Sequence, residues 1–274
     1  MDTSSIQQLQ TSAFFKDLPQ DIIQSLLNLG RLCKYSKREI IFHAGIYEEQ
    51  VYLLLEGEVM VYNLTKHGNK KILFILGKGY LLNHNIVSQR PVSVFCEAVQ
   101  SAQILEIPLR NFLELMACHP CLTQSVMERI WKIFFHIRRD TADSSQHCCS
   151  LSVARQMSAH ASTAAACRAY RAEYERYIWR LSHQLKNTSG SLLLKRKIAA
   201  KLWKLGRDFG IPQKDGVHIR IKMTMTLLAD FVGAPRENVS RACKSLSQKG
   251  LLYYQNQQFI LPDMDELSDF YKQN

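Results

Sequence analysis

TMTLLADFVGAPRENVSRACKSLSQKGLL, residues 224–252, carries two apolar stripes broken by a glycine, the spacing of two short helices set at an angle. Leu227, Leu228, Phe231 and Val232 share one face of the first, and Thr224 stands where its hydroxyl can cap the helix start. Gly233-Ala234 makes the turn, and Pro235 suits the opening of the second helix, where its missing N–H has no partner to lose. Val239, Ala242, Cys243 and Leu246 then fall at i, i+3, i+4 and i+7, so they form a buried stripe and Cys243 is a packing residue. Arg236, Glu237, Ser240, Arg241 and Lys244 are left projecting together. The pattern is a helix-turn-helix whose second helix offers groups suited to the major groove. Arginine presents two donors to O6 and N7 of guanine, and glutamate accepts from the amino group of cytosine.

Working outward, Gly250 ends the second helix, and the runs Leu251–Tyr254 and Gln258–Leu261 around Gln255-Asn256-Gln257 predict a hairpin, the wing of a winged helix-turn-helix. Upstream, helical patterning covers Leu192–Phe209 and Tyr174–Leu185. Net charge is zero over residues 1–125, +5 over 126–189 and +6 over 190–274, which together make the chain's formal +11. A neutral front and a basic back suit a sensor joined to a polyanion-binding module, because Lys and Arg replace phosphate counterions.

The front half reads differently. After a short helix around Leu18–Leu29, the segment from Tyr35 to Ile107 is a series of brief β-rich runs: Glu39–Phe42, Val51–Leu55, Val59–Tyr62, Ile72–Leu76 and Ile104–Ile107. Gly45, Gly57, Gly68, Gly77 and Gly79 punctuate them, and His67-Gly68-Asn69 predicts a hairpin tip. Many short strands with glycine at the corners indicate a sandwich, jelly roll or barrel.

Pro235-Arg236-Glu237-Asn238-Val239-Ser240-Arg241 resembles the recognition helix of the CRP/FNR regulators. Tyr52-Leu53-Leu54-Leu55-Glu56-Gly57-Glu58-Val59, the Gly68 turn and Ile75-Leu76-Gly77-Lys78-Gly79 look like the glycine-marked strands of that family's cyclic-nucleotide-binding-type β-roll. The similarity covers nearly the whole chain. It implies an α+β protein with an N-terminal, jelly-roll-like β-roll sensor (1–125), a long dimerisation helix carrying an insertion (126–189) and a C-terminal winged helix-turn-helix (190–274). It further implies a homodimeric, sequence-specific transcription regulator with no enzymatic activity, acting on double-stranded DNA at a palindromic site and through RNA polymerase. Half-sites resembling TTGA or GTGA follow from Glu237, Ser240 and Arg241 acting together.

The effector cassette departs from the cyclic-nucleotide binders. In those proteins a glutamate takes the ribose hydroxyl, and an arginine beside a small hydroxyl residue takes the cyclic phosphate through a charge-assisted contact. Here the segment is Gly79-Tyr80-Leu81-Leu82-Asn83-His84-Asn85, then Pro91-Val92-Ser93-Val94. His84 falls where the glutamate would be and Val92 where the arginine would be, while Ser93 is retained; Arg90 reaches the arginine position only if the register slips by two. Gly79, His84, Val92 and Ser93 are therefore the effector-site candidates, and the effector and any cofactor are left unassigned. Some gas-sensing relatives place a haem-ligating histidine in this cassette. The plainer reading of His84 is a loop histidine making a hydrogen bond.

Cys118-His119-Pro120-Cys121 has the spacing of a metal chelate or a redox pair, but a zinc site needs two more ligands, and His147, Cys148 and Cys149 stand at no standard zinc spacing. Structural cysteines remain the plainer reading, and no metal site is assigned. An iron–sulfur arrangement of the family's kind, with cysteines clustered near the N-terminus, is not present, since the first cysteine is Cys33. Val126, Ile130, Ile133, Phe134 and Ile137 predict an amphipathic helix, by resemblance the dimerisation helix and otherwise one packed on its own roll. Of the residues from Thr141 to Ala169, more than half are Ser, Thr or Ala, a composition that cannot bury a core and so predicts a linker, a helical extension or a separate sensor element. The N-terminus has no signal-peptide pattern and no apolar run reaches membrane-spanning length, so a cytoplasmic protein with reduced thiols and no membrane contact is expected. The competing class is a haem- or metal-dependent redox protein built on His84 and the cysteines.

Overall fold

The computed structural model describes residues 14–15, 18–65, 68–83, 91–126 and 191–272. The chain divides into two compact units. The N-terminal part, up to residue 126, is built on two sheets. After helix α1 (Gln20–Leu29) come β1 (Arg31–Tyr35), β2 (Ile40–Phe42), β3 (Gln50–Glu56), β4 (Val59–Leu64), β5 (Lys70–Leu76), β6 (Phe95–Ala98) and β7 (Ala102–Pro108), then helix α2 (Leu109–Cys118). One sheet runs β1-β7-β3 and the other β2-β6-β4-β5, the crossed order of a roll rather than a meander. All five β-rich runs in the sequence are strands.

Strand alternation assigns the faces of the first sheet. Val51 pairs with Ile107 and Leu53 with Leu105, and these side chains form one core with α1, α2, Phe14 and Phe15. The intervening residues point the other way, where the Tyr52 ring lies 5.4 Å from that of Phe42 on the second sheet. Leu122 and Val126, in a helical segment at 120–126, are fully buried in the same core as α1 and α2. The rest of the expected dimerisation helix, the Thr141–Ala169 insertion, His84, Arg90, His147, Cys148 and Cys149 lie outside the described residues.

Gly57 closes the β3–β4 corner at φ +85°, and a Cβ there would stand 2.3 Å from the Ser101 carbonyl oxygen. Only glycine fits that approach without strain. The expected hairpin tip between β4 and β5 is partly described: Gly68 has φ +77°, and its N–H donates to the Thr65 carbonyl.

The C-terminal part comprises helix α3 (Ser191–Phe209), β8 (Gly210–Gln213), β9 (Gly216–Ile219), α4 (Met225–Val232), α5 (Arg236–Gln248), β10 (Tyr253–Gln255), β11 (Gln258–Leu261) and α6 (Met264–Lys272). The four strands form one sheet, β10-β11-β9-β8. Ile198, Leu202, Ile219, Met223, Leu228, Val239, Leu246, Leu252, Phe259 and Leu267 are buried. No described helix is long and apolar enough to cross a membrane.

Candidate nucleic-acid interface

Helix α5 is held in place by local chemistry that the sequence dictates. The Thr224 hydroxyl accepts from the Leu227 N–H at 3.1 Å and caps α4. At its far end Gly233 adopts the left-handed conformation, φ 74° and ψ 45°, and its N–H donates to the Ala229 carbonyl. That geometry turns the chain within two residues, and Pro235 at φ −56° starts α5, its carbonyl accepting from Asn238 and Val239. Val239, Ala242, Cys243 and Leu246 are buried along one side of α5. Each large apolar side chain buried there contributes about 1.5–3 kcal/mol, enough to fix the helix's rotation about its own axis.

With that side fixed, Arg236, Glu237, Asn238, Ser240, Arg241 and Lys244 are all exposed. Arg236, Glu237, Ser240 and Arg241 line one shallow, open concavity over the first turns of the helix. All five residues expected to face DNA are therefore on one side of α5. Asn238, which the sequence reading passed over, joins them: Arg241 Nη2 donates to Asn238 Oδ1 at 2.6 Å. The signal available was its i−3 spacing from Arg241 on the same face. Burial pushes the Cys243 thiol up to about 12, so the sulfur behind this face is neutral and unreactive.

The wing is tied directly to the helix-turn-helix. The β10–β11 hairpin turns at Asn256 and Gln257, both at positive φ (51° and 59°), the backbone of a tight two-residue turn. Met223, the residue before the Thr224 cap, donates its N–H to the Gln257 carbonyl at 2.8 Å and accepts from the Tyr254 hydroxyl at 3.1 Å. These two bonds tie the start of α4 to the hairpin.

The candidate effector segments are anchored separately. Gly79 (φ +83°) donates its N–H to the Leu54 carbonyl, and Asn83, buried, accepts from the Tyr52 N–H at 3.0 Å and donates to the Gln50 carbonyl at 2.6 Å. The segment 79–83 is thereby stitched along β3. Val92 is buried, with its backbone paired to Gly45 and Ile46, and Ser93 beside it is exposed. On the face of the first sheet turned to the second, the Tyr35 and Tyr52 hydroxyls donate to Glu106 and Glu48. Burial and these carboxylates push both phenols far above their usual range. Cys33 sits beside Glu106, and burial followed by that carboxylate raises its thiol as well. Cys118 and Cys121 are free and exposed, and among the described residues no cluster of His, Cys, Asp and Glu has the arrangement of a metal site.

Comparison with known proteins agrees with this two-part architecture. The family model of the cyclic nucleotide-binding domain matches residues 32–119, and that of the Crp-like helix-turn-helix domain matches residues 196–270. The chain belongs to the CRP/FNR family of transcription regulators. Among relatives of this CRP/FNR regulator, the anaerobic regulatory protein of Pasteurella multocida is 19% identical over 234 residues, 83% of this chain and 67% of the relative. The regulatory protein HlyX of Actinobacillus pleuropneumoniae is 18% identical, covering 85% of this chain and 78% of that protein. Solved structures share the fold: a CooA mutant from Carboxydothermus hydrogenoformans (18% identity, 90% of both chains, TM-score 0.59) and FixK2 from Bradyrhizobium japonicum (17% identity, 88% of this chain and 96% of that one, TM-score 0.58). The family is one of DNA-binding transcription regulators rather than enzymes.

Proposed function

We propose that this CRP/FNR regulator is a cytoplasmic homodimer that reads a palindromic DNA site with α5, and that an effector met in the β-roll sets the geometry of the two reading helices. In this reading residues 1–125 sense, 126–189 dimerise and 190–274 bind DNA. Arg241 donates to guanine, Glu237 accepts from the paired cytosine, and Ser240 favours thymine nearby, giving half-sites resembling TTGA or GTGA. Arg236 and Lys244 lie toward the phosphates. The observation that carries the proposal is the exposed group of Arg236, Glu237, Ser240 and Arg241 around one concavity of a helix whose other side is buried. Contact with RNA polymerase follows by analogy with the family.

The effector acts by linkage: it changes DNA affinity only as far as it favours one dimer geometry over another. Gly79, His84, Val92 and Ser93 are the candidate residues. The competing haem or metal redox reading turns on His84, which lies outside the described residues, and on Cys118 and Cys121, which are free and exposed. Random-site selection with the full-length protein tests the DNA assignment: a two-fold-symmetric site with a G·C pair at equivalent places in both halves is expected. Recovery of no symmetric site would reduce the basic unit to a non-specific anchor.

A further inference from the structure

We propose that Asn238 is the positioning residue for base reading: its side-chain amide holds the Arg241 guanidinium and so prevents Arg241 and Glu237 from neutralising each other before DNA arrives. The inference rests on the base-reading roles given to Arg241 and Glu237 above. Those two residues are four apart with the acid N-terminal, the orientation in which oppositely charged side chains pair well along a helix. An ion pair between them would consume the acceptor meant for cytosine and the donors meant for guanine. Instead, Arg241 Nη2 donates to Asn238 Oδ1 at 2.6 Å, and Glu237 takes part in no ion pair among the described residues.

The chemistry of the partner matters. A guanidinium has five N–H donors in a rigid fork, so one bond to an amide leaves four, and a guanine needs two. Asparagine is neutral, so it orients the arginine without cancelling the charge that draws it to DNA. Side chains on a helix lean toward its N-terminus, and the bond draws the guanidinium back over the first turn of α5, which begins at Arg236. In a helix-turn-helix that is the end which meets base edges. Asparagine is also a weak helix former, so helix stability does not explain an exposed one in the first turns of α5.

The test compares the full-length protein and its variants on three duplexes: the selected symmetric site, the same site with the guanine of each half changed, and a scrambled sequence. Asn238→Ala is expected to lower discrimination at that guanine by about three- to tenfold, the worth of one ordinary hydrogen bond as befits an exposed one, while scrambled-site affinity holds and the melting temperature does not fall. Asn238→Gln keeps a neutral amide acceptor on the same face, so discrimination is retained. In the Arg241→Ala background, Asn238→Ala should change discrimination no further. The proposal is overturned if Asn238→Ala keeps full discrimination, if Asn238→Gln loses it as Asn238→Ala does, or if Asn238→Ala still lowers it without Arg241, which would make Asn238 a direct DNA contact. Arg241→Ala with undiminished discrimination sinks the underlying base-reading assignment instead, and the positioning role with it.

Discussion

Asn83 is buried with both ends of its amide satisfied by the backbone of β3, and so it does for residues 79–83 what a strand ladder does elsewhere. Removing it leaves the Tyr52 N–H and the Gln50 carbonyl without those bonds in a buried site, so Asn83→Ala should destabilise the roll by about 1–3 kcal/mol, read as an earlier denaturant midpoint. A variant as stable as the parent would show that water replaces the amide. At the other end of the chain, Arg241→Ala should cost about 1–3 kcal/mol on a matched site and relax selection at its base pair. Equal weakening on matched and scrambled duplexes would assign Arg241 to phosphate instead. The thiols divide by exposure: Cys118 and Cys121 are open, while Cys96 and Cys243 are buried with their thiols pushed up. Iodoacetamide followed by peptide mapping should therefore label Cys118 and Cys121 in the native protein well before Cys96 and Cys243. Early labelling of Cys243 would mean that α5 opens readily.

Elements held by strong local signals are the ones the sequence makes plain. α4 and α5 are written by a cap, a glycine turn, a proline start and two unbroken apolar stripes, all pointing to the same structure. Thr224→Ala removes the cap and should cost about 0.5–2 kcal/mol, whereas Leu246→Ala hollows the contact behind the reading face and should cost about 2–5 kcal/mol. Thermal unfolding monitored at Trp203, in the same unit, gives both; a larger loss from Thr224→Ala would show that the cap outweighs the stripe. Several strands were not legible for the same physical reason in reverse. β1 is Arg31-Leu32-Cys33-Lys34-Tyr35, largely exposed along its length, and β8 is Gly210-Ile211-Pro212-Gln213 at a sheet edge, where proline is tolerated because no ladder bond is lost. Neither carries an apolar alternation of its own, and both exist because a neighbouring strand pairs with them. α6 was likewise passed over, although Trp203 and Tyr271 meet edge to face where it packs on α3. For the candidate site, what was readable is that Arg236, Glu237, Ser240, Arg241 and Lys244 share an exposed face, because helical spacing fixes which side chains lie together. The Asn238–Arg241 bond was not, because spacing does not choose between two partners at i−3 and i−4.

Across the whole molecule, charge and effector chemistry decide what the protein responds to. The excess of Lys and Arg lies after residue 125, so DNA affinity should fall steeply with salt, and changing a phosphate-facing cation such as Lys244 to Gln should weaken all duplexes alike and flatten the salt slope by about one. A loss confined to the matched site would move Lys244 into the base-reading set. The roll matches the cyclic nucleotide-binding domain, yet fold alone does not carry the ligand. A cyclic phosphate needs a cation presented in a fixed fork, and the position that resemblance assigns to it holds Val92, an aliphatic side chain buried with its backbone committed to Gly45 and Ile46. Ser93 beside it is exposed, and a lone hydroxyl supplies a neutral hydrogen bond in place of a charge-assisted one. Cyclic AMP should consequently give no heat of binding at micromolar concentration and leave the DNA affinity unchanged. Micromolar binding that disappears in Ser93→Ala or His84→Ala would place the phosphate in this cassette after all, with another cation, such as Arg90, in the role that Val92 cannot fill.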